Sequence, residues 1–355
     1  MKYYFAPMEG ITGYIYRSAH HHNFGGVDRY FTPFIATTQN HRLSSREKND
    51  ICPEHNRGMS LVPQILTNKA EDFIWAAREI AGYGYREVNL NLGCPSGTVV
   101  AKKKGSGFLF YTVELDRFLE QVVKELEPDG ISVSVKTRIG LNSSDEFEDL
   151  MQIYNRYPLK ELIIHPRVRS DFYANKPNLS VFRAGAKQSL NPVCYNGDIF
   201  TREAFTAFTE QFPQNQFPMI ESVMLGRGAV ANPALFQQLK AVESTAPGTA
   251  QVTAPVTAPG MAPVTHPSRE KPAIPSKSAL KAFHDEIFNG YRETMSGDRN
   301  TLFKMKELWF YMGGLFDGKD EGIKEKQLKK IKKSQKFPEY LAAVDALFAE
   351  CCFEN

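Results

Sequence analysis

Long apolar runs are missing from this 355-residue chain. None approaches the ~20 residues that a membrane-crossing helix needs, which excludes a helical membrane protein. The N-terminus, Met1-Lys2-Tyr3-Tyr4-Phe5-Ala6-Pro7, has neither an apolar h-region nor a small-residue cleavage site, so no secretory signal is expected. Cysteine is scarce as well. Five of them, an odd number at positions 52, 94, 194, 351 and 352, make no disulfide framework, and a reducing cytoplasm is the expected setting. Neither sign of charge is in excess: 43 Lys and Arg against 40 Asp and Glu give +3, too mild for composition alone to announce a polyanion-binding protein. The placement of charge must decide.

Aromatic residues are absent from one stretch, residues 241–277, where seven prolines stand at 247, 255, 259, 263, 267, 272 and 275 and VTAP occurs twice in succession. Such a segment cannot bury enough apolar surface to offset its ordering entropy, and it reads as a Pro/Ala/Thr-rich linker. It separates an expected domain over 1–240 from another over 278–355. A flexible linker would let the tail adopt several orientations.

Before the linker, short apolar runs at 3–7, 27–33, 60–65, 87–92, 131–137, 161–165, 192–195 and 222–225 predict strands. Amphipathic stretches at 69–81, 113–126, 144–157 and 201–212 predict helices between them; the helical pattern is indistinct after the first and second strands. Eight alternating units in about 240 residues predict an α/β fold, a (β/α)₈ TIM barrel. After the linker, 279–291, 299–316 and 337–353 predict a small all-α helical domain. The lysines at 319, 324, 326, 329, 330, 332, 333 and 336 lie between two of those helices.

The polar and glycine motifs each follow a predicted strand. Pro7-Met8-Glu9-Gly10 follows the first, Gln64 ends the third, and Asn91-Leu92-Gly93-Cys94-Pro95 follows the fourth. Lys136-Thr137-Arg138, His165-Pro166-Arg167, Asn196-Gly197-Asp198 and Gly226-Arg227-Gly228 follow the fifth to eighth. In a barrel these positions converge on the carboxyl-terminal rim, where active sites lie. His20-His21-His22 is not a metal site on this reading, because consecutive helical histidines diverge and no Cys or carboxylate joins them at ligand spacing. It reads as a solvated helix end, and Cys351-Cys352 as part of the last helix.

With APMEGIT (6–12), NLGCP (91–95), KKKGSG (102–107), VKTRIG (135–140), YNGDI (195–199) and MLGRGA (224–229) in this order and spacing, the chain resembles the tRNA-dihydrouridine synthases. The resemblance runs to about residue 236, and the tail fits that family's tRNA-binding domain. It implies an FMN-dependent barrel reductase in which NADPH reduces the flavin and a hydride passes to a uridine in the D-loop region of tRNA.

On that resemblance Asn196, Gly197, Asp198, Gly226 and Arg227 hold the FMN phosphate, at the rim position where barrels commonly bind phosphate. Lys136 stabilises the reduced ring, Gln64 bonds its pyrimidine edge, Pro7, Met8 and Glu9 pack beside it, and His165 bonds the flavin or the uracil. Cys94 is the catalytic residue: hydride addition at C6 leaves an anion, and a thiol, mostly protonated at neutral pH, can give C5 its proton. Asn91 is expected to contact the target base, Arg138 and Arg167 the RNA phosphates or uracil carbonyls, and Lys102, Lys103 and Lys104 the tRNA backbone. Where the family has a threonine and later a glutamine after the histidine, this chain has Val168 and Asp171, with Tyr173 retained. A monomer is expected. Two other readings are a dihydroorotate-dehydrogenase-like barrel acting on a free pyrimidine and a non-catalytic RNA-binding barrel. The basic helical tail argues against the first, and Cys94, Lys136 and the phosphate loops against the second.

Overall fold

A computed structural model describes residues 1–37, 40–245, 276–317 and 321–353. Ten strand segments form one sheet: β1 (Lys2–Phe5), β2 (Arg29–Phe31), β3 (Ile35–Ala36), β4 (Leu61–Val62), β5 (Gln64–Leu66), β6 (Glu87–Leu92), β7 (Ser132–Arg138), β8 (Leu162–His165), β9 (Val193–Tyr195) and β10 (Ile220–Leu225). All pair in parallel, in the order β3-β5-β6-β7-β8-β9-β10-β1-β2-β4.

Ten segments make eight barrel strands because proline interrupts two of them. Pro33 lies between β2 and β3, and Pro63 between β4 and β5; proline has no N–H to extend a ladder. Around Pro63 the pairing continues on both sides. Thr32 N donates to Val62 O (3.2 Å), and Asn89 N donates to Pro63 O (2.9 Å). β2 with β3 and β4 with β5 are therefore two neighbouring strands, paired both before and after their prolines, and the sheet closes into a (β/α)₈ barrel.

The barrel helices are α1 (Tyr14–Asn23), α2 (Ser45–Ile51), α3 (Ala70–Ala81), α4 (Gly97–Val100), α5 (Thr112–Leu126), α6 (Glu146–Tyr154), α7 (Leu179–Gln188), α8 (Arg202–Gln211), α9 (Arg227–Ala231) and α10 (Leu235–Thr245). In α5 the residues Leu115, Phe118, Leu119, Val122 and Leu126 recur at three- and four-residue spacing and are buried, which is why the pattern was readable. In α1 the buried face includes Arg17 and His20, so no apolar stripe announces it. Arg17 satisfies its burial through Thr12 O, Asp50 O and Asn56 Oδ1 (2.8, 2.6 and 3.0 Å). His20 corrects the expectation of a solvated helix end. It is fully buried between Tyr30 Oη and Pro233 O, both at 2.9 Å, and burial drives its pKa down to about 3, leaving it neutral.

The tail consists of α11 (Lys277–Thr294), α12 (Gly297–Met312), α13 (Glu321–Lys333) and α14 (Phe337–Glu350). The lysine-rich stretch is itself a helix, α13, rather than a connection between helices. The last helix ends before the cysteines: Cys351 is buried at its cap, and Cys352 lies in a short ribbon with Phe316–Asp317. Tyr340 Oη gathers the tail's polar core, accepting from Trp309 Nε1 and bonding His284 Nε2, both at 2.8 Å.

The expected linker begins and ends inside helices, since α10 runs to Thr245 and α11 starts at Lys277; residues 246–275 lie outside the described residues. The tail packs against the barrel through α11 and α12. Phe283 of α11 meets the rings of Tyr16 and Phe24, each at 5.4 Å, and Glu286 binds His22 and Asn23. A Cβ on Gly290 would lie 2.7 Å from Ile15 Cγ2, so only glycine allows this approach of α11 to α1. Lys304 of α12 donates to Gly10 O at 2.7 Å. Among the described residues no helix is long and apolar enough to cross a membrane. Gly290→Val is expected to cost about 1–3 kcal/mol by overpacking this seam, measured by urea denaturation; an unchanged midpoint would show that the seam tolerates separation.

Candidate functional site

A cavity of about 410 Å³ opens at the carboxyl-terminal mouth of the barrel, within the size range of small-molecule sites. Seven strand ends supply its walls. Pro7, Met8 and Glu9 come from the first loop, then Gln64, Asn91 and Cys94, Lys136 and Arg138, His165, Asn196 to Asp198, and Gly226 with Arg227. Of the residues named from sequence, Arg167, Lys102, Lys103 and Lys104 do not line it. Lys102 and Lys103 are exposed beyond the cysteine loop, and Lys103 Nζ sits 4.4 Å over the Tyr111 ring.

A hydrogen-bond ladder of side chains crosses β5, β6 and β7 beneath the mouth. Asn89 Nδ2 donates to Ser134 Oγ (3.0 Å), Gln64 Nε2 to Asn89 Oδ1 (2.8 Å), and Asn91 Nδ2 to Gln64 Oε1 (2.6 Å). Asn91 Oδ1 then accepts from the backbone N–H groups of Gly93 (3.1 Å) and Cys94 (3.0 Å). Asn91 thus holds the cysteine loop, and it also lines the cavity, with one Nδ2 hydrogen outside these bonds. The loop is closed from the other side by Ser106, whose N and Oγ donate to Cys94 O at 3.1 and 2.8 Å. Gly105 makes that return possible: its φ is +56°, and a Cβ there would stand 2.9 Å from Cys94 O.

Arg138 braces the same loop. Its Nε donates to Gly93 O (3.0 Å), one terminal nitrogen to Val168 O (2.8 Å) and the other to Phe172 O (3.0 Å). Phe172 has φ +47°, a conformation that a bulky residue keeps only when its surroundings impose it. The guanidinium expected to reach RNA is 1% exposed and spent on carbonyls. Arg167 is likewise 1% exposed. It donates to Asn175 O (2.6 Å), to His165 Nε2 (3.0 Å) and to Asp198 (2.5 Å). Both arrangements share one cause: a buried cation must find partners inside, although Arg138 also lines the cavity.

Arg227, expected at a phosphate, donates to Asp198 Oδ1 at 2.6 Å and lies 4.3 Å over the Tyr173 ring. Because Arg167 can only donate, His165 Nε2 accepts and the neutral ring carries its proton on Nδ1. Burial, then Arg138 and Lys136, push the His165 pKa well below its usual value. Lys136 makes no hydrogen bond or ion pair among the described residues, and burial, followed by Arg138, lowers its pKa to about 8. Burial raises the Cys94 pKa, keeping the thiol protonated at neutral pH. Lys136, Arg138 and Arg227 share the lining with Glu9, Asp198 and Glu307, of which Asp198 pairs with Arg227 and Glu9 with Arg46. Lys136 has no ion-pair partner among the described residues, so its part of the cavity suits an electron-rich group.

Residues 4–262 match the dihydrouridine synthase (Dus) family. The chain belongs to that family. It is 27% identical over 248 residues to a probable tRNA-dihydrouridine synthase of Staphylococcus aureus (strain Mu50 / ATCC 700699), covering 66% of this chain and 70% of that one. To tRNA-dihydrouridine synthase B of Pasteurella multocida (strain Pm70) it is 25% identical over 240 residues, covering 67% and 69%. The protein is an oxidoreductase of this family, and α11–α14 lie beyond the matched residues.

The lining residues that were not chosen from sequence include Phe34, Phe172, Phe200, Glu307 and Tyr311. The last two come from α12, well beyond the last strand-end motif at 226–228, and only tertiary docking brings them to the mouth. Their sole sequence signal was the aromatic run Trp309-Phe310-Tyr311.

Lys136 has a thermodynamic consequence. An unfolded lysine titrates near 10.4, so between pH 8 and 10.4 the unfolded chain binds more protons and stability rises with pH. At neutral pH the buried ammonium costs the fold its full penalty. Lys136→Met is expected to stabilise the ligand-free protein by about 1–3 kcal/mol at pH 7, with the gain shrinking towards pH 10; thermal denaturation at both pH values measures it.

Proposed function

We propose that this protein reduces the C5–C6 double bond of a D-loop-region uridine in tRNA, with FMN as its bound carrier and NADPH as reductant. The family match and the relatives' names support the chemistry and the tRNA substrate. The observation that carries the mechanism is Cys94, a thiol kept protonated by burial on a loop pinned by Asn91, in the wall of a cavity whose Lys136 has no partner.

That unpartnered, buried ammonium fits the electron-rich edge of a flavin ring. Lys136 would lie against the ring, Gln64 has one amide hydrogen and one lone pair left for it, and Pro7, Met8 and Glu9 bound it. Asn196, Gly197, Asp198, Gly226 and Arg227 would hold the phosphate end, with Arg227 exchanging part of its bond to Asp198. His165 presents its Nδ1–H as a donor. When bound, FMN supplies the hydride that C6 of the uracil receives.

The negative charge then placed on C5 and O4 is quenched by Cys94. Its S–H bond breaks, the proton goes to C5, and the electron pair stays on sulfur. Lys136 and Arg138, both of which favour the anionic form of this sulfur, stabilise the thiolate until solvent reprotonates it. Asn91 and Arg138 act through the loop as positioning residues.

The test follows flavin absorbance after anaerobic reduction with NADPH, on adding tRNA from cells lacking dihydrouridine. Reoxidation by tRNA and not by orotate is expected; a reduced flavin indifferent to tRNA would overturn the substrate. Cys94→Ala is expected to slow the tRNA-dependent step by roughly 10²–10⁴-fold, and undiminished dihydrouridine formation would remove Cys94 from the mechanism. The rate is expected to fall as alkaline pH removes the charge of Lys136, at a pH above the value of about 8 that holds without an electron-rich neighbour.

A further inference from the structure

The helical period divides α12 into two neighbouring stripes. Lys304, Glu307 and Tyr311 turn to the barrel, where Lys304 binds Gly10 O and the other two line the cavity. Phe303, Lys306 and Phe310 recur at the same spacing one position earlier. Phe303 is 70% exposed and Phe310 84%, so two rings stand in water on one face, about 10 Å apart along the axis. Phe310 is also in ring contact with Tyr311, edge-on at 5.2 Å. The aromatic surface is therefore continuous from the cavity wall to the outside of the tail.

Its surroundings are basic. A groove beside Phe303 is formed by Arg299, Asn300, Lys306 and Gln335. Past Ser334, which accepts from Lys306 Nζ, it meets a second groove lined by Lys326, Lys329, Lys330 and Lys333 of α13. None of these four lysines forms an ion pair among the described residues. Exposed rings interleaved with unpaired cations match single-stranded nucleic acid, whose bases stack on aromatic faces while its phosphates meet the cations.

We propose that Phe310 and Phe303 stack the unpaired bases flanking the target uridine, so that α12 leads single-stranded RNA from the α13 lysines into the cavity. The inference rests on tRNA being the substrate. Stacking reads no base edge, so it positions the strand without fixing its sequence.

The experiment measures binding of an unmodified tRNA transcript, and its steady-state reduction, for Phe310→Ala, Phe303→Ala and Phe310→Trp, with a fully paired RNA duplex as a second probe. Each alanine variant is expected to raise Kd and KM for tRNA by roughly 5- to 100-fold. Phe310→Trp is expected to restore binding, the unfolding midpoint to stay unchanged, and duplex affinity to be insensitive to all three. Wild-type reduction of tRNA with unchanged Kd in both alanine variants would overturn the stacking role alone, whereas no reduction by wild type would overturn the substrate on which it rests. Equal weakening on duplex and tRNA, or a dimer in sedimentation velocity that Phe310→Ala dissociates, would also overturn it.

Discussion

The carboxamide of Asn91 is the interaction on which the site depends. A buried amide must satisfy both ends, and here one end closes the Gln64–Asn89–Ser134 ladder while the other takes two backbone amides of the cysteine loop. The rigid interior of the barrel is thereby coupled to the position of one sulfur. Ser106 and Arg138 complete the enclosure of that loop from outside, and Arg138 carries the constraint on to Phe172 and hence to the aromatic part of the rim.

Charge is arranged on a different rule from shape. Arg138 is hydrogen-bonded to carbonyls, and Arg167 to a carbonyl, a neutral imidazole and Asp198, so both serve as struts. Lys136 is left without compensation, and the fold bears the cost of that buried ammonium. A group kept charged without a protein partner is useful only when something else is to arrive beside it. The destabilisation is thus concentrated at the one position where an electron-rich ligand relieves it.

Much of this was legible in the sequence, for reasons that differ by element. The eight strands and α3, α5 and α8 were readable because one face of each is apolar. α1 was not, since Arg17 and His20 occupy its buried face, and α13 read as a charged connection because six lysines hide its period. The rim residues were readable because a barrel sends every strand end to one mouth. Their roles were less so: an arginine's type says what it can bind, and only its burial says whether it is free to. The internal bonds of Asn91 and Arg167 could not be read from residue type for that reason. Glu307 and Tyr311 had no strand-end position to betray them, because they arrive through the docking of α11 on α1.

That docking bears on what counts as a domain. By composition the chain divides at the proline-rich stretch into two units. By energetics the division is weaker, because Phe283 is a member of the same buried cluster as Tyr16 and Phe24, and Gly290 removes the spacing that would separate the two bodies. A boundary without its own water layer transmits unfolding. Unfolding of the helical tail would therefore expose barrel residues as well, because Tyr16 and Phe24 lose the cover of Phe283.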